Sequence, residues 1–155
     1  MEIAAAVLGV TDVALRASSK LWKLSGMWRD APADIHSLRD DLVRTERFFA
    51  EIRQNVNPAS SRTHPPQRGL ITLHHDLEHL VVEGGAVVRR IEAIVDGLLS
   101  AEGTEISGSG ASRLLELGKR RKLLWLRQAR KVAKLRKELG DIRSGICRLL
   151  VAQNV

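Results

Sequence analysis

The opening segment, residues 1–28, constrains the fold of this chain more than any other stretch. Its apolar residues recur at spacings of four and three, the period of one face of an α-helix. That face comprises Ile3, Val7, Val10, Ala14, Ala17, Leu21, Leu24 and Trp28. Six more apolar residues lie off it: Ala4, Ala5, Ala6, Leu8, Val13 and Leu15. A helix that is apolar on nearly all sides needs cover on more than one side. We therefore expect a membrane or another copy of the chain to cover the surplus.

Three later segments repeat the three-four alternation, which predicts four helices over residues 2–28, 32–56, 70–100 and 113–153. The faces of the later three are, in order, Ile35, Leu38, Leu42, Thr45, Phe49, Ile52 and Val56; Leu70, Leu73, Leu77, Leu80, Gly84, Val87, Ile91, Ile94 and Leu98; and Trp125, Gln128, Val132, Leu135, Leu139, Ile142, Ile146 and Leu149. Residues 57–69 and 101–112 are predicted loops, and the last helix is either continuous or broken at Gly118. The predicted fold is all-α: a mostly antiparallel four-helix bundle of long amphipathic helices forming one domain.

The cellular compartment is predicted from the single cysteine and from the residues of the amino-terminal segment. Cys147 is the single cysteine, so no internal disulfide can form and a reducing, cytoplasmic location is expected. Glu2 and Asp12 do not fit a secretory signal, because they interrupt the basic start and apolar run that such a signal needs. The apolar run is also shorter than the ~20 residues of a membrane span. Any membrane contact is expected to be peripheral or conditional.

Positive charge is concentrated in the last helix. From Arg113 onward there are 13 Lys or Arg against 3 Asp or Glu, whereas residues 1–112 hold 12 against 15. A basic stripe lies opposite the apolar face of this helix and comprises Arg120, Arg127, Arg130, Lys134 and Lys137. It fits a solvated outer face or a contact with anionic lipid headgroups. Nucleic acid is a weaker alternative, since aromatic residues make up only 3% of the chain and no reader motif appears.

One short motif suggests metal chemistry. His75-Asp76-Leu77-Glu78-His79 fits the H-x-x-E-H pattern of a zinc peptidase. However, Leu77 and the following Leu80 belong to the core face, so we expect His75, Glu78 and His79 to point to solvent. No nucleophile triad, phosphate-binding loop or paired-carboxylate cleft accompanies them. The sequence therefore predicts no enzyme, no metal site, no cofactor and no small-molecule substrate.

The glycine pair of the third helix and the three tryptophans are interpreted as structural features. The Gly84-Gly85 pair lies in the middle of the third helix, where each Gly costs about 1 kcal/mol relative to Ala. It indicates a kink, a weak point or, as we favour, a close helix–helix approach. The tryptophans Trp22, Trp28 and Trp125 are interpreted as anchors in the core or at the bundle ends.

The segments MEIAAAVLGVTDVALRASSKLWKL and DAPADIHSLRDDLVRTERFFAEI together resemble the amino-terminal domain of fungal STAND receptors of the NACHT type, in the HeLo-like group. The segment KLLWLRQARKVAKLRKELGDIRSGICRLLVAQN is similar to the last helix of that group. The resemblance covers roughly residues 1–56 and 119–153. Neither a nucleotide-binding module nor an amyloid-type repeat follows Val155, so we expect a fragment of a longer receptor or a short stand-alone member.

The resemblance implies a helical cell-death signalling domain, similar in layout to the death-executing domains of plant immune receptors and animal necroptosis pseudokinases. Such a domain oligomerises when an upstream receptor or signalling partner triggers it. It then acts at the plasma membrane, with the first helix as the inserting element. Carried over to this chain, the membrane-active residues are Glu2, Ile3, Val7, Leu8, Val10, Val13 and Leu15. The implied partners are anionic membrane lipids, further copies of the chain and the upstream receptor.

Three hypotheses follow. The first is an execution domain that permeabilises membranes once its first helix leaves the bundle. The second is an adaptor that oligomerises or recruits partners without membrane activity. The third is a basic bundle that binds nucleic acid. Binding to neutral vesicles, anionic vesicles and nucleic acid over a salt series distinguishes them.

Overall fold

The computed structural model describes residues 3–28, 31–55, 68–100 and 110–153. Within these ranges every residue except Trp28, Ala31 and Pro32 is helical. The helices are α1 (Ile3–Met27), α2 (Ala33–Asn55), α3 (Arg68–Ser100) and α4 (Gly110–Gln153). The predicted all-α architecture of four long helices is confirmed.

The helix boundaries differ slightly from the prediction. Helix α3 begins two residues earlier than expected and α4 three residues earlier, so residues 68–69 and 110–112 are helical and not loop. The remainder of both predicted loops, together with Val56, lies outside the described residues. Helix α4 continues through Gly118 without a break.

Hydrogen bonds bring the end of α1 close to the start of α2. The Trp28 amide donates to the Leu24 carbonyl at 3.0 Å, and the Ala31 amide donates to the Trp28 carbonyl at 3.2 Å. Pro32 then precedes α2, and its carbonyl accepts a hydrogen bond from the Ile35 amide at 3.0 Å. Proline suits this position because its fixed φ is already close to the helical value. Because the end of α1 lies next to the start of α2 and the two helices pack together, they run antiparallel.

Helix α1 lies between α2 and α3, and α4 packs mainly on α3. Helices α1 and α3 run parallel: a Cβ at Gly85 would meet Val10, and further along both helices Lys20 meets Asp96. Helices α3 and α4 run antiparallel. Arg90 and Glu138 approach to 3.8 Å, whereas the later α3 residue Leu98 shares a groove with the earlier α4 residue Leu124.

The four predicted apolar faces form the core. Apart from Val56 and Leu70, whose side chains are not described, Leu73, Leu80, Gln128 and Leu149 are half-buried and the other members are buried. The prediction missed a second buried row on α3, consisting of Val81, Val88 and Val95. A helix that packs against two neighbours needs a wider apolar face than a single stripe supplies.

The two mid-helix glycines of α3 mark a close helix–helix approach. A Cβ on Gly84 would lie 3.2 Å from Phe49 Cζ of α2 and 3.5 Å from Ile142 Cγ2 of α4. A Cβ on Gly85 would lie 2.9 Å from Val10 Cγ2 of α1, closer than van der Waals contact allows. Helix α3 is uninterrupted here, so the favoured interpretation of the pair is confirmed.

Candidate functional site

The residues predicted to act at a membrane through α1 separate into two groups. Ile3, Val7, Val10 and Val13 are buried in the bundle core. Leu8 and Leu15 are about half exposed. Glu2 lies outside the described residues. In this conformation the predicted membrane-active residues of α1 therefore do not form one continuous exposed surface.

The position of α1 explains the burial. Because α1 is covered by α2 on one side and α3 on the other, a residue off the central stripe such as Val13 still faces a neighbour. Ala6 is also partly buried against the core. Of the six apolar residues off the central face, Val13 is buried, Ala4 and Ala6 are half-buried, and Ala5, Leu8 and Leu15 are exposed. The folded bundle therefore covers only part of the surplus, and cover of the rest by a membrane or a second copy stays a prediction.

Polar contacts hold α1 to α3 along one edge. Lys20 Nζ donates to Glu92 Oε1 at 2.8 Å and lies 2.8 Å from Asp96 Oδ1. Arg16 Nε donates to the same Glu92 oxygen at 3.3 Å, and Arg16 Nη1 lies 2.6 Å from Asp12 within α1. We refer to Arg16, Lys20, Glu92 and Asp96 as the α1–α3 ion-pair cluster. This cluster could not be predicted from the sequence, because spacing within one helix does not show which helix lies beside it.

The cluster favours the charged forms of Lys20 and Glu92. The hydrogen bond from Lys20 to Asp96, and after it the bond to Glu92, raise the pKa of Lys20 above its ordinary value of 10.5. Burial opposes this shift, but its effect is smaller. Burial of Glu92 opposes ionisation, but hydrogen bonds from Lys20 and Arg16 outweigh it, so the pKa of Glu92 falls below its ordinary value of 4.5. Lys20 and Glu92 are thus both charged at neutral pH.

An apolar row remains exposed on the outer side of α1. It consists of Leu8, Leu15 and Trp22, which recur every seven residues and therefore share one side of the helix. Trp22 is 66% exposed, with the Arg39 guanidinium of α2 5.0 Å from its ring centroid. The interpretation of Trp22 as a core anchor is wrong. Trp28 and Trp125 are buried, as predicted.

The basic stripe of α4 lies where it was predicted. Arg120, Arg127, Arg130, Lys134 and Lys137 are all exposed, whereas Trp125, Val132 and Leu139 on the opposite side are buried. Within the described residues, only Lys134 of the five has an acidic partner within 4.0 Å, namely Glu138.

The cationic surface is wider than the stripe. Lys119, Lys122 and Lys131 are exposed as well. Residues 119–137 contain 10 Lys or Arg and no Asp or Glu. Two of the ten do not belong to this surface: Arg121 is buried at 4% exposure, and Arg136 is half-buried and pairs with Asp41 of α2 at 2.6 Å. Charge pattern alone did not distinguish them from their exposed neighbours.

The His75, Glu78 and His79 motif lies on the outer side of α3. His75 and His79 are exposed and Glu78 is half-buried. His79 Nδ1 lies 3.9 Å from Glu83 of the next turn. No group of three His, Cys, Asp or Glu side chains within the described ranges is arranged to hold a metal ion.

An open groove of about 360 Å³ lies between α3 and α4. Its walls include Ile94, Leu98 and Leu124, and Arg90 and Lys131 contribute its charge. Both of these charged groups are cations, so the groove holds no acid–base pair.

The fold and its surfaces define a class: an all-α four-helix bundle whose first helix is ion-paired to the third and whose last helix is cationic. Comparisons of the chain with protein-family models, with curated proteins and with solved structures give no match. Among the helices in the described ranges, none combines the length and apolarity needed to cross a bilayer.

Proposed function

We propose that this chain is a non-enzymatic signalling domain of the cell-death type, which binds anionic membranes and permeabilises them after α1 leaves the bundle and copies assemble. The observation that carries the proposal is the outer surface of α4. A cationic helical face without acids across residues 119–137 matches the negative potential of a cytoplasmic leaflet. The resemblance of residues 1–56 and 119–153 to the HeLo-like domains of fungal STAND receptors supports the same function.

The contacts of α1 support a conditional role for this helix. Four of its residues predicted to insert are inside the bundle, and Arg16 and Lys20 pair with carboxylates of α3. An anionic bilayer offers α1 substitutes for both, namely apolar interior for the valines and lipid phosphates for the two cations. Release of α1 thus exchanges contacts within the bundle for contacts with the bilayer. The net free-energy cost of release can therefore lie within the roughly 5–15 kcal/mol that is typical of domain stability.

A disulfide that locks α1 to α3 tests this proposal. Val10 Cγ2 lies 2.9 Å from the position of a Cβ on residue 85. In a disulfide the Cβ of one cysteine and the sulfur of the other are about 3.0 Å apart. The variant Val10→Cys/Gly85→Cys is made in a Cys147→Ser background, because Cys147 is exposed and would compete.

Dye release from vesicles of neutral and anionic lipid is then measured with the locked and reduced forms. We expect no release by the oxidised form and release from anionic vesicles after reduction, while the Cys147→Ser parent is unaffected by the reductant. Equal release by the locked form would show that α1 stays in place during permeabilisation. Thermal unfolding of each form establishes that it is folded.

An adaptor without membrane activity is the second candidate. The burial of Ile3, Val7, Val10 and Val13 favours it, because the folded bundle already covers these four of the side chains that suggested insertion. On this alternative the cationic surface of α4 binds an acidic protein partner. Absence of dye release from every folded form, together with self-association in solution, would favour the adaptor.

A further inference from the structure

Two exposed leucines lie inside the cationic surface of α4. Leu123 and Leu126 are each 60% exposed, and they sit between residues whose side chains belong to the core or its margin. Trp125 is buried, and Leu124 is half-buried at the groove with α3. Residues three apart on a helix lie on the same side, so the two leucines project outward together. They do not serve the packing of the bundle.

Basic side chains flank both leucines in a regular way. Each leucine has an exposed Lys or Arg one helical turn before it and another one turn after it. The flanking residues are Lys119 and Arg127 for Leu123, and Lys122 and Arg130 for Leu126. No acidic residue interrupts the segment.

This arrangement fits a surface that is anionic on the outside and apolar underneath. Single exposed leucines are common on soluble proteins and need no partner. Two leucines enclosed by cations differ from a single exposed leucine. On an anionic bilayer the leucines leave water at the same place where the cations neutralise lipid charge. The aliphatic stems of Lys and Arg can lie along the boundary with their charged ends at the headgroups. A nucleic-acid backbone would leave the leucines in water.

We propose that Leu123 and Leu126, with Lys119, Lys122, Arg127 and Arg130, form a docking edge through which the intact bundle binds an anionic bilayer before α1 is released. The inference rests on the membrane partner of the proposed function but not on permeabilisation. It adds apolar insertion by α4 to the electrostatic contact of its basic stripe. The docked bundle keeps α1 buried.

An environment-sensitive fluorophore tests insertion directly. It is attached to Leu126→Cys in the Cys147→Ser background, and the matched control carries it at Val82→Cys, an exposed apolar position on α3. With vesicles containing about one-third phosphatidylserine, we expect a blue shift at position 126 and none at position 82. Quenching by spin labels in the acyl chains should likewise affect position 126 alone.

Vesicle co-sedimentation of the unlabelled protein supplies the second measurement. The double change Leu123→Ser/Leu126→Ser should weaken binding to anionic vesicles roughly tenfold, and the control Val82→Ser/Val151→Ser should not. Equal loss in both doubles, or no shift at position 126, would overturn the docking edge. Binding to an acidic polypeptide or to nucleic acid in preference to vesicles would also overturn it.

The outcomes separate the two proposals. A shift at position 126 with no dye release supports the docking edge and contradicts the execution function. Dye release with no shift contradicts the docking edge alone. Absence of both vesicle binding and release contradicts both.

Discussion

Lys20 of α1 donates a 2.8 Å hydrogen bond to Glu92 of α3, a carboxylate whose side chain is only 12% exposed. The described partners of Glu92 in the cluster, Lys20 and Arg16, both lie on α1. Release of α1 would break both ion pairs and at the same time return Glu92 to water. The cluster therefore contributes the modest free energy of partly exposed ion pairs, about 1 kcal/mol or less for each pair.

Replacing Glu92 by Gln should loosen α1 specifically. The change keeps the size of the side chain and removes its charge, and we expect a loss of about 1 kcal/mol in the free energy of unfolding. Backbone amides of α1 should exchange with solvent faster, as measured by hydrogen exchange. Asp12→Asn is the matched control, because it removes the same charge from a pair confined to α1. Equal acceleration in the two variants would contradict a role for the α1–α3 contact.

Stability should fall at both extremes of pH through the same cluster. The pKa of Glu92 is lower in the folded protein, so its contribution is present above its ordinary value of 4.5 and disappears as the pH falls through the folded pKa. The pKa of Lys20 is raised, so its contribution is present below 10.5 and disappears as the pH rises through the folded pKa. Urea unfolding of the wild type and Glu92→Gln should differ at pH 7 and converge in acid. A constant difference in acid would refute this assignment.

Two glycines of α3 should respond to alanine in opposite directions. At Gly85 the new Cβ would lie 2.9 Å from Val10 Cγ2, so α1 and α3 must separate, and we expect a loss of about 1–3 kcal/mol. At Gly97 nothing lies within 4 Å, and alanine should stabilise the helix by up to about 1 kcal/mol. Denaturant unfolding measures both. Stabilisation by Gly85→Ala would show that the close approach is absent in solution.

Neighbouring residues of α1 should tolerate a charge very differently. Val7 is fully buried, and Val7→Glu should cost more than about 3 kcal/mol because it places a carboxylate in the core. Leu8 is half exposed, and Leu8→Glu should change stability by less than about 0.5 kcal/mol. Circular dichroism and thermal unfolding decide this. Leu8→Glu is thus the informative variant for dye release, since a loss of activity in Val7→Glu would report unfolding.

The sequence predicted the helices and their central faces because both depend on local periodicity. Val13 and the row of Val81, Val88 and Val95 were not assigned to the core, since their burial depends on which helices flank α1 and α3. The pairing of Lys20 with Glu92 depends on the parallel alignment of α1 and α3 for the same reason. The exposure of Trp22 also follows from tertiary position, because tryptophan alone does not indicate which side of a helix is covered.

The place of α1 between α2 and α3 has a consequence for kinetics. A bundle that loses α1 has an empty site shaped for that helix, as the fit of Val10 against Gly85 illustrates. The α1 of a second copy carries the same side chains and fits the same site. Exchange of α1 between copies requires two chains to meet. The rate of assembly would therefore rise more steeply than in proportion to protein concentration. A dilute chain would then stay closed under conditions in which a locally concentrated one assembles.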